Sequence, residues 1–523
     1  MQEFAVPGPS TWVPPEILSQ VFTGLLHSSR DTWKRYPYML VDVAQVSPYW
    51  RSVALAYPHL WAYVVCRDPE ATAVFLKRSQ DAPLHIMFFE SYQSGFGLYR
   101  NRFMSQQSAS SFDLVLHEAS RIASFDLEIG WQSPLLTSLR TLPSRRPLLN
   151  SVHLISSDLR ACDDIRAATS FILRDAPHVQ SLTLNGHSKA WSTIRFPATL
   201  KHLDMRASDP VNTYSGMVIT LQSLHCLETV RIQGLGSLPH DIANISRSYV
   251  PIAVPLPQLR KMDLIDQNLH SAAFLRHFSL SSSCALSFSI TRSYNPNKEY
   301  ERGHVRDFAT TLFDTWLRDP CDVASISPSL RNLSHLAFTS KKIEARHCFE
   351  FIIRGWRLRE DSPPFRIDSN SPDLTVNLTL STANGARDFG LVAFCKNLDL
   401  GELRVADLDT TSLTLSHYTL PDILRRADKL RKLVLRGPHA CADATLLMQL
   451  DPPVSPTLKI LDVSCAGLDK ETAEKLAGAL EHRLEQEVPV GELRLTGTAA
   501  PMRRRMKQLR KVVSVLKFDH HHS

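Results

Sequence analysis

The stretch that decides the fold is residues 197–205, which read Pro-Ala-Thr-Leu-Lys-His-Leu-Asp-Met. It recurs as Pro-Gln-Leu-Arg-Lys-Met-Asp-Leu at 257–264, as Pro-Thr-Leu-Lys-Ile-Leu-Asp-Val at 456–463, and more loosely as Pro-His-Val-Gln-Ser-Leu-Thr-Leu at 177–184. The proline ends a preceding helix and favours extended backbone. The apolar–polar–apolar pattern that follows predicts a strand with one face in a core. Such self-similarity indicates a chain built from repeated units.

A looser form of the same pattern, with apolar residues at relative positions one, four and six, runs from about residue 120 onward. Most neighbouring units are separated by 21 to 32 residues. The predicted units begin at Ile122, Leu149, Val179, Leu200, Leu227, Leu259, Leu333, Leu400, Leu430, Leu458 and Val490. Position nine carries varied residues such as Ser157 and His187, so we expect an irregular stack.

This pattern resembles the leucine-rich repeat. The resemblance implies an α/β fold, an irregular solenoid with a curved parallel sheet and helices outside. The two long gaps between units hide degenerate repeats near 286–288 and 378–380, or they hold polar insertions at 293–302 and 361–371. The alternative is a globular α/β domain with parallel strands.

Two proline-flanked stretches near the N-terminus predict a small helical module. Residues 13–22 open with Val-Pro-Pro-Glu-Ile-Leu, where prolines suit a helix start and Glu16 complements the positive end of the helix dipole. Residues 43–54 read Val-Ala-Gln-Val-Ser-Pro-Tyr-Trp-Arg-Ser-Val-Ala, in which Ser47 can cap and Pro48 can open another helix. Two short helices cannot bury a core alone, so the pattern is typical of a docking module.

These residues resemble the F-box, the adaptor-binding module of cullin-type ubiquitin ligases. The match covers about 12–61 and includes a closing Pro-His-Leu-Trp at 58–61, as is common in fungal F-box proteins; Val13 stands where the family most often has Leu. The resemblance implies an apolar docking patch with Leu18 and Trp50 as anchors. The predicted adaptor-binding residues are Val13, Pro14, Ile17, Leu18, Phe22, Val46 and Trp50. A helical hairpin that caps a larger domain is the alternative.

The two resemblances together imply a domain organisation and a function. The expected parts are an F-box at 12–61, connecting helices and a linker at 62–119, a repeat solenoid at 120–518 and a disordered tail at 519–523. The implied function is the substrate-recognition subunit of a cullin-RING (SCF-type) ubiquitin ligase. A Skp-family adaptor would connect it to the cullin and RING subunits, and the repeats would bind an unknown target protein. A free-standing leucine-rich-repeat scaffold for protein–protein interaction is the alternative, and a cryptic hydrolase is a third hypothesis.

The sequence carries no recognisable catalytic motif. It has no phosphate-binding glycine loop and no Gly-x-Ser-x-Gly elbow. His117 and Glu118 begin like a zinc-protease helix, but the second histidine at the required spacing is missing. We therefore expect no enzyme activity, cofactor or metal, and the resemblance implies that the catalytic cysteines lie on other subunits.

Composition narrows the cellular setting and the partners. The 523 residues contain no basic, apolar leader in 1–12 and no uninterrupted apolar run near the roughly 18 residues of a membrane span. Nine cysteines without a Cys-x-x-Cys pair are expected to be free thiols in a reducing compartment, cytoplasmic and/or nuclear. A net charge of +7 is mild and does not predict nucleic-acid binding. Mixed charges on the predicted strands favour a protein partner: Lys201, Asp204, Arg231, Arg260, Asp263, Arg404 and Asp462.

Two further segments lie outside the repeats. Residues 90–111 are rich in Ser, Gln, Gly and Tyr, which predicts a linker or a mobile loop. Near the C-terminus, five apolar residues share one helical face: Met502, Met506, Leu509, Val513 and Leu516. That helix is expected either to cap the repeat stack or to serve as a basic amphipathic segment for membrane binding or nuclear import.

Overall fold

The computed structural model divides into two compact units, Met1–Gly234 and Leu235–Ser523, called unit 1 and unit 2 below. The structure describes residues 13–28, 36–89, 98–130, 133–143, 146–156, 162–186, 194–206, 214–234, 254–266, 274–275, 277–280, 284–294, 303, 305–310, 312, 333–343, 348–357, 372, 374–381, 400–409, 419–464, 470–497 and 506–520. The boundary between the units falls inside the predicted repeat region.

Unit 1 begins with helices and continues with strands and helices in alternation. Its helices are α1 (Pro15–Ser28), α2 (Tyr36–Val46), α3 (Pro48–Ala56), α4 (Pro58–Trp61), α5 (Pro69–Ser79), α6 (Leu98–Leu116), α7 (Leu135–Arg140), α8 (Cys162–Leu173) and α9 (Tyr214–Gln222). Its strands are β1 (Tyr63–Val65), β2 (Leu84–Phe89), β3 (Ile122–Glu128), β4 (Ser151–Ile155), β5 (Ser181–Asn185), β6 (His202–Arg206) and β7 (Thr229–Gln233).

Unit 2 holds the remaining described elements. Its strands are β8 (Val254–Leu256), β9 (Lys261–Asp266), β10 (Phe278–Leu280), β11 (Ala285–Tyr294), β12 (Leu333–Ile343), β13 (Cys348–Arg357), β14 (Leu374–Ser381), β15 (Val405–Asp409), β16 (Lys432–Arg436), β17 (Ile460–Ser464), β18 (Glu492–Gly497) and β19 (Val515–His520). Its helices are α10 (Thr419–Leu424), α11 (Ala440–Met448), α12 (Lys470–Glu485) and α13 (Met506–Val512).

The strands pair in mostly parallel ladders, so the chain belongs to the mixed α/β class, as predicted. In unit 1 the strands from β1 to β7 pair in chain order, and every pair is parallel. In unit 2 the order is β9, β11, β14, β13, β12, β15, β16, β17, β18, β19, and β13 runs antiparallel to both of its neighbours. The antiparallel excursion departs from a regular repeat, because strands that follow one another through helices are parallel.

The repeated apolar positions line up across the ladders and form the cores. In unit 1 one such row is Phe125, Val152, Leu182, Leu203 and Val230, all at most 2% exposed. In unit 2 the row Ala406, Leu433, Leu461 and Leu493 is at most 1% exposed. Burial alternates along strands such as β4 and β5, which leaves their alternate side chains on the opposite sheet face, as the sequence pattern predicts. Strand β3 departs from this pattern, because its first six residues are all buried.

The segments directly before the strands form one recurring turn, both where they contain the proline of the repeated pattern and where they lack it, as at Leu227. In eight repeats the N–H of the first buried apolar residue donates to the carbonyl three residues earlier, at 2.9 to 3.5 Å. The donors are Leu149, Val179, Leu200, Leu227, Leu259, Leu403, Leu430 and Leu458. The next residue, at what we call the turn position, accepts from the following strand; the Gln180 carbonyl, for example, accepts the N–H groups of Lys201 at 2.8 Å and His202 at 2.9 Å.

One buried arginine in each unit ties the loops of adjacent repeats together. Arg483, which is 0% exposed, donates to the carbonyls of Val454 at 2.8 Å, Ser455 at 2.6 Å and Val488 at 2.9 Å. Burial lowers the pKa of its guanidinium to about 10, so it stays charged at neutral pH. The charge is compensated by carbonyl dipoles, which is how a buried ion avoids the full desolvation penalty.

Arg146 joins loops in a similar way in unit 1, although it lies in the loop before β4 and Arg483 lies on helix α12. Arg146 is 2% exposed, and its guanidinium donates to the carbonyl oxygens of Pro143 at 2.9 Å, Phe171 at 3.5 Å and Arg174. Burial is the main cause that lowers the pKa of Arg146. Both arginines therefore join the loop before one strand to the loop before the next.

Three predictions about helices need correction. Helix α2 was not predicted, because Tyr36–Val46 has no cap signal and its aromatic start is not periodic. The expected linker at 90–111 is helical from Leu98 onward, and its buried face mixes Ser108, Ser111 and Phe112, which hid the period. Residues 90–97 lie outside the described part of the chain.

The expected C-terminal helix is shorter than its apolar pattern. Helix α13 ends at Val512, and Leu516 lies in strand β19, which pairs in parallel with β18. Strand β19 extends through His520, so Asp519 and His520 are not part of a disordered tail. Met502 lies outside the described residues.

One predicted strand is shifted in register. The pattern that begins at Leu400 placed Leu403 in the strand, but Leu403 closes the repeat turn and β15 starts at Val405. Ala406 and Leu408 then take the core positions opposite Leu433 and Leu435. The small side chain of Ala406 made the correct register weaker in the sequence than the wrong one. The suggested degenerate repeats near 286–288 and 378–380 do form strands, β11 and β14.

Candidate functional site

The first four helices of unit 1 surround one apolar core that also includes the first strands. Its buried members are Leu18, Phe22, Leu40, Val53, Ala54, Leu60, Trp61 and Met87. Met87 belongs to β2, so the helical module packs directly on the sheet of the same unit. Phe22 and Trp50 join α1 to α3, with ring centroids 5.3 Å apart.

Specific polar contacts fix the helices against one another. Ser47 caps α3, and its hydroxyl accepts the N–H of Trp50 at 3.1 Å, as the Ser-Pro sequence predicted. The Tyr49 hydroxyl donates to the Val13 carbonyl at 2.7 Å, which holds the segment before α1. The indole of Trp61 donates to the Ala54 carbonyl at 2.8 Å, and the Arg78 guanidinium lies 4.3 Å from the centre of the Trp61 ring system.

The structure separates the seven predicted docking residues into three groups. Pro14, Ile17 and Val46 are exposed. Val13 and Trp50 are half-buried against the helical core. Leu18 and Phe22 are 2% and 1% exposed, so these two contribute to the core of the module and present no surface to a partner. The idea that Leu18 anchors a partner directly is therefore not supported by its position.

An exposed apolar stripe follows one side of α1. Ile17, Val21 and Leu25 are spaced by four residues and are 48%, 47% and 38% exposed, and we call them the α1 stripe. Helix α2, which packs against α1, adds Val41 at 45% and Val46 at 59%. Val21, Leu25 and Val41 were not among the predicted adaptor-binding residues. A spacing of four residues divides the apolar side chains of α1 into two adjacent rows. The stripe is one row, and the buried Leu18 and Phe22 belong to the other.

The strand face opposite the core is polar in unit 1 and carries charge at two places. Arg206 and Asp204 are 2.8 Å apart on β6, and Nδ1 of His153 lies 3.2 Å from Oδ1 of Asp126. The ring of His85 stacks on Tyr63 with centroids 4.5 Å apart, and its Nδ1 lies 2.8 Å from the Ser124 hydroxyl. His202 Nδ1 lies 2.8 Å from the Thr229 hydroxyl. Between these contacts, on the strands described for unit 1, neutral Ser151, Ser181, Thr183 and Asn185 fill alternate positions. On β5 this face therefore offers neutral hydrogen-bonding groups, and its charged groups lie on the strands to either side.

The corresponding face of unit 2 is a lattice of ion pairs. Arg436 and Asp407 are 2.8 Å apart, and Glu492 is shared by Arg494 at 2.8 Å and Lys517 at 2.7 Å. Burial raises the pKa of the Asp407 carboxyl, although Arg436 opposes this shift. The hydrogen bond from Arg494 lowers the pKa of Glu492, with Lys517 adding to the effect. The pKa of Asp407 is thus raised and the pKa of Glu492 is lowered, although both carboxylates lie on the same strand face.

The described residues also bear on metal binding, membrane insertion and cysteine chemistry. Within the described ranges, no group of three His, Cys, Asp or Glu side chains could hold a metal ion. No helix in the same part of the chain is long and apolar enough to cross a membrane. Cys66, Cys284 and Cys441 are buried free thiols, Cys226 is exposed, and burial raises the pKa of the Cys66 thiol. A raised pKa keeps a thiol protonated and unreactive.

Comparison with known proteins adds no family assignment. No protein-family model matches the chain, and no curated protein matches it at a significant level.

Proposed function

We propose that the protein is the substrate-recognition subunit of a cullin-RING (SCF-type) ubiquitin ligase. The residues that resemble an F-box would dock a Skp-family adaptor, and the repeats, proposed to form an irregular leucine-rich-repeat solenoid, would hold a target protein. Such a receptor supplies proximity and orientation, while the bond chemistry belongs to other subunits. The proposal does not require a catalytic centre on this chain.

The main support for the proposal is the exposed α1 stripe. It lies beside a core that other side chains already fill. Leu18 and Phe22 already fill the interior of the helical module, so Ile17 and Val21 are not needed to close it. Contiguous exposed apolar side chains on one helix are typical of a protein interaction site. The stripe lies on the helix that carries the Val-Pro-Pro-Glu-Ile-Leu resemblance, which supports the adaptor as its partner.

A second reading, a repeat scaffold without a ligase role, has one observation in its favour. Met87 of β2 belongs to the same core as the helices, so the helical module also acts as a cap on the first strands. Solenoid proteins need such caps. The two roles differ in what happens to the stripe, because a cap alone leaves it without a partner.

Binding of a recombinant Skp-family adaptor to the full chain tests the proposal. Ile17→Asp and Val21→Asp place a charge in the stripe while leaving the core intact, so each is expected to weaken adaptor binding by at least about 2 kcal/mol if the stripe is the centre of the interface. Isothermal titration calorimetry would measure the affinity. Ile219→Asp is the matched control, since Ile219 is 64% exposed on α9 of the same unit.

Two outcomes would reject the proposal. Wild-type protein that does not bind the adaptor would leave the scaffold alternative standing. Adaptor binding that survives Ile17→Asp in a protein with an unchanged circular dichroism spectrum would remove the α1 stripe from the interface.

A further inference from the structure

Three cations stand in a row on adjacent strands of unit 2. Arg404, Arg431 and Lys459 occupy the turn position of three consecutive repeats, directly before β15, β16 and β17, and we call them the basic row. Their backbones are stacked, because the Arg404 carbonyl accepts the N–H of Arg431 at 2.8 Å and the Arg431 carbonyl accepts that of Lys459 at 2.9 Å. Neighbouring strands lie roughly 4.8 Å apart, so the row is about 10 Å long.

The row is exposed and its charges are unpaired within the described residues. Arg431 and Lys459 are exposed and Arg404 is half-buried. None of the three forms an ion pair with a described carboxylate. The acid two residues before Arg404, Glu402, is held by Lys429 instead. Like charges in direct register destabilise neighbouring strands, so an unpaired row is unfavourable unless something else compensates it.

Unit 1 shows that the same position can pair its charges. Lys201 and Glu228 occupy the turn position of consecutive repeats before β6 and β7, and their side chains meet at 3.4 Å. Lower on the same strands of unit 2, acids and bases also meet, as with Lys432 and Asp462 at 3.8 Å. The backbone geometry therefore permits a cross-strand pair, and the sequence of the basic row does not supply one.

We propose that the basic row binds an acidic, extended peptide segment that crosses the N-terminal ends of β15 to β17. Side chains on one face of an extended peptide are about 6.7 Å apart, so carboxylates at alternate positions would reach the cations of the row. The inference deepens the proposed function and rests on it only in assigning this segment to the target protein. Charge complementarity of this kind adds specificity and association rate.

A peptide fits the surroundings of the row better than a nucleic acid does. On the strand positions that follow the row, Asp407 is paired with Arg436 and Asp462 with Lys432, so the row does not continue into a run of unpaired cations that could follow a chain of phosphates. A peptide can place a few carboxylates on the row and neutral residues beyond it. The short length of the row also suits a few side chains and not a long polyanion.

Fluorescence anisotropy with the full-length protein tests the proposal. The probe is a fluorescein-labelled peptide of alternating Glu and Ser, compared with an alternating Gln and Ser peptide and with a labelled oligothymidylate. We expect the acidic peptide alone to bind at about 50 mM NaCl and to bind markedly less at about 300 mM. Arg431→Glu should lower its affinity about tenfold or more, and Arg431→Gln should lower it less.

Arg260→Glu is the matched control, because Arg260 occupies the turn position of another repeat and has no cation at the next turn. It should leave peptide affinity within about twofold. Equal binding of the neutral peptide, tighter binding of the oligothymidylate, or full affinity in folded Arg431→Glu would each overturn the proposal. Arg431→Glu should keep its adaptor affinity, so failure of the row and failure of the docking helices give different results.

Discussion

Unit 1 and unit 2 use the same parallel ladder and the same turn, yet their exposed strand faces differ. On unit 1 the face carries neutral Ser181 and Thr183 on β5, and its Asp204–Arg206 pair lies within the single strand β6. Across β15 to β19 of unit 2 the face carries pairs such as Asp407 with Arg436. The core positions specify the fold in both units, and the alternate positions are free to specify a partner. The following experiments test how far that separation holds.

The largest effect should come from the core positions that the two ladders share. Leu184 in unit 1 and Leu435 in unit 2 are both 0% exposed and lie at equivalent places on β5 and β16. Each mutation to Ala should cost about 2–5 kcal/mol of unfolding free energy, since it removes buried methyl groups and leaves a cavity. Urea unfolding, with hydrogen exchange to locate the change, would measure it.

Thr183, next to Leu184 on the opposite face of β5, provides the control for the leucine mutations. Thr183→Ala changes a half-buried side chain on β5 and should alter stability by no more than about 0.5 kcal/mol. A loss below about 1 kcal/mol for either leucine would show that the two ladders do not share one core design.

The two buried arginines should give the next largest effect. Arg483→Met and Arg146→Met remove donors from buried carbonyls, and an unsatisfied buried acceptor costs about 1–3 kcal/mol. We expect the larger loss for Arg483, because its three bonds are 2.6 to 2.9 Å long whereas one bond of Arg146 is 3.5 Å. Thermal unfolding would rank the two, and equal stability of wild type and both variants would show that the carbonyls find other donors.

The smallest effect should be a pH dependence confined to unit 2. The folded pKa of Glu492 lies below the ordinary glutamate value of 4.5, so the stabilisation by its charge is complete above that pH and is lost as pH falls through the folded pKa. Glu492→Gln should therefore cost up to about 1 kcal/mol at neutral pH and nothing in acid. Urea midpoints measured from about pH 3 to pH 7 would reveal the difference.

Asp407 should show the opposite sign. Its folded pKa is raised above the ordinary aspartate value of 3.8, so the folded state keeps the proton to a higher pH, and stability falls as pH rises from that value through the folded pKa. Asp407→Asn should remove this fall. If both variants changed the pH profile in the same direction, the assignment of opposite environments to the two carboxylates would be wrong.

The sequence predicted the turns and most strands of the repeats better than it predicted the helices and the register of every strand. The stretches that begin with proline predicted the turns at Leu200, Leu259 and Leu458, because a proline, a buried leucine and an alternating strand all indicate the same geometry. Prediction failed where a core position is small, as at Ala406, or where a buried helix face is built of serine, as in α6. In those places burial is decided by neighbouring elements, which local sequence does not report.

The candidate docking site was predicted only in part. Proline and serine signals located the starts of α1 and α3, and the structure confirms both helices. Apolarity alone could not tell which side chains face inward, so Leu18 and Ile17 were treated alike although one is buried and the other is 48% exposed. Leu18 faces the core that α2, α3 and α4 form with α1, and α2 was not predicted from the sequence.

The turn carbonyls have an evolutionary consequence. Each of these carbonyls, such as that of Gln180 or Arg431, accepts N–H groups from the next repeat along the chain. Duplicating or deleting one complete repeat of turn, strand and helix would therefore preserve the backbone hydrogen bonds between the other repeats. The length of such a chain can change in whole steps, and a newly copied unit can diverge on its exposed positions while its inherited backbone contacts keep it folded.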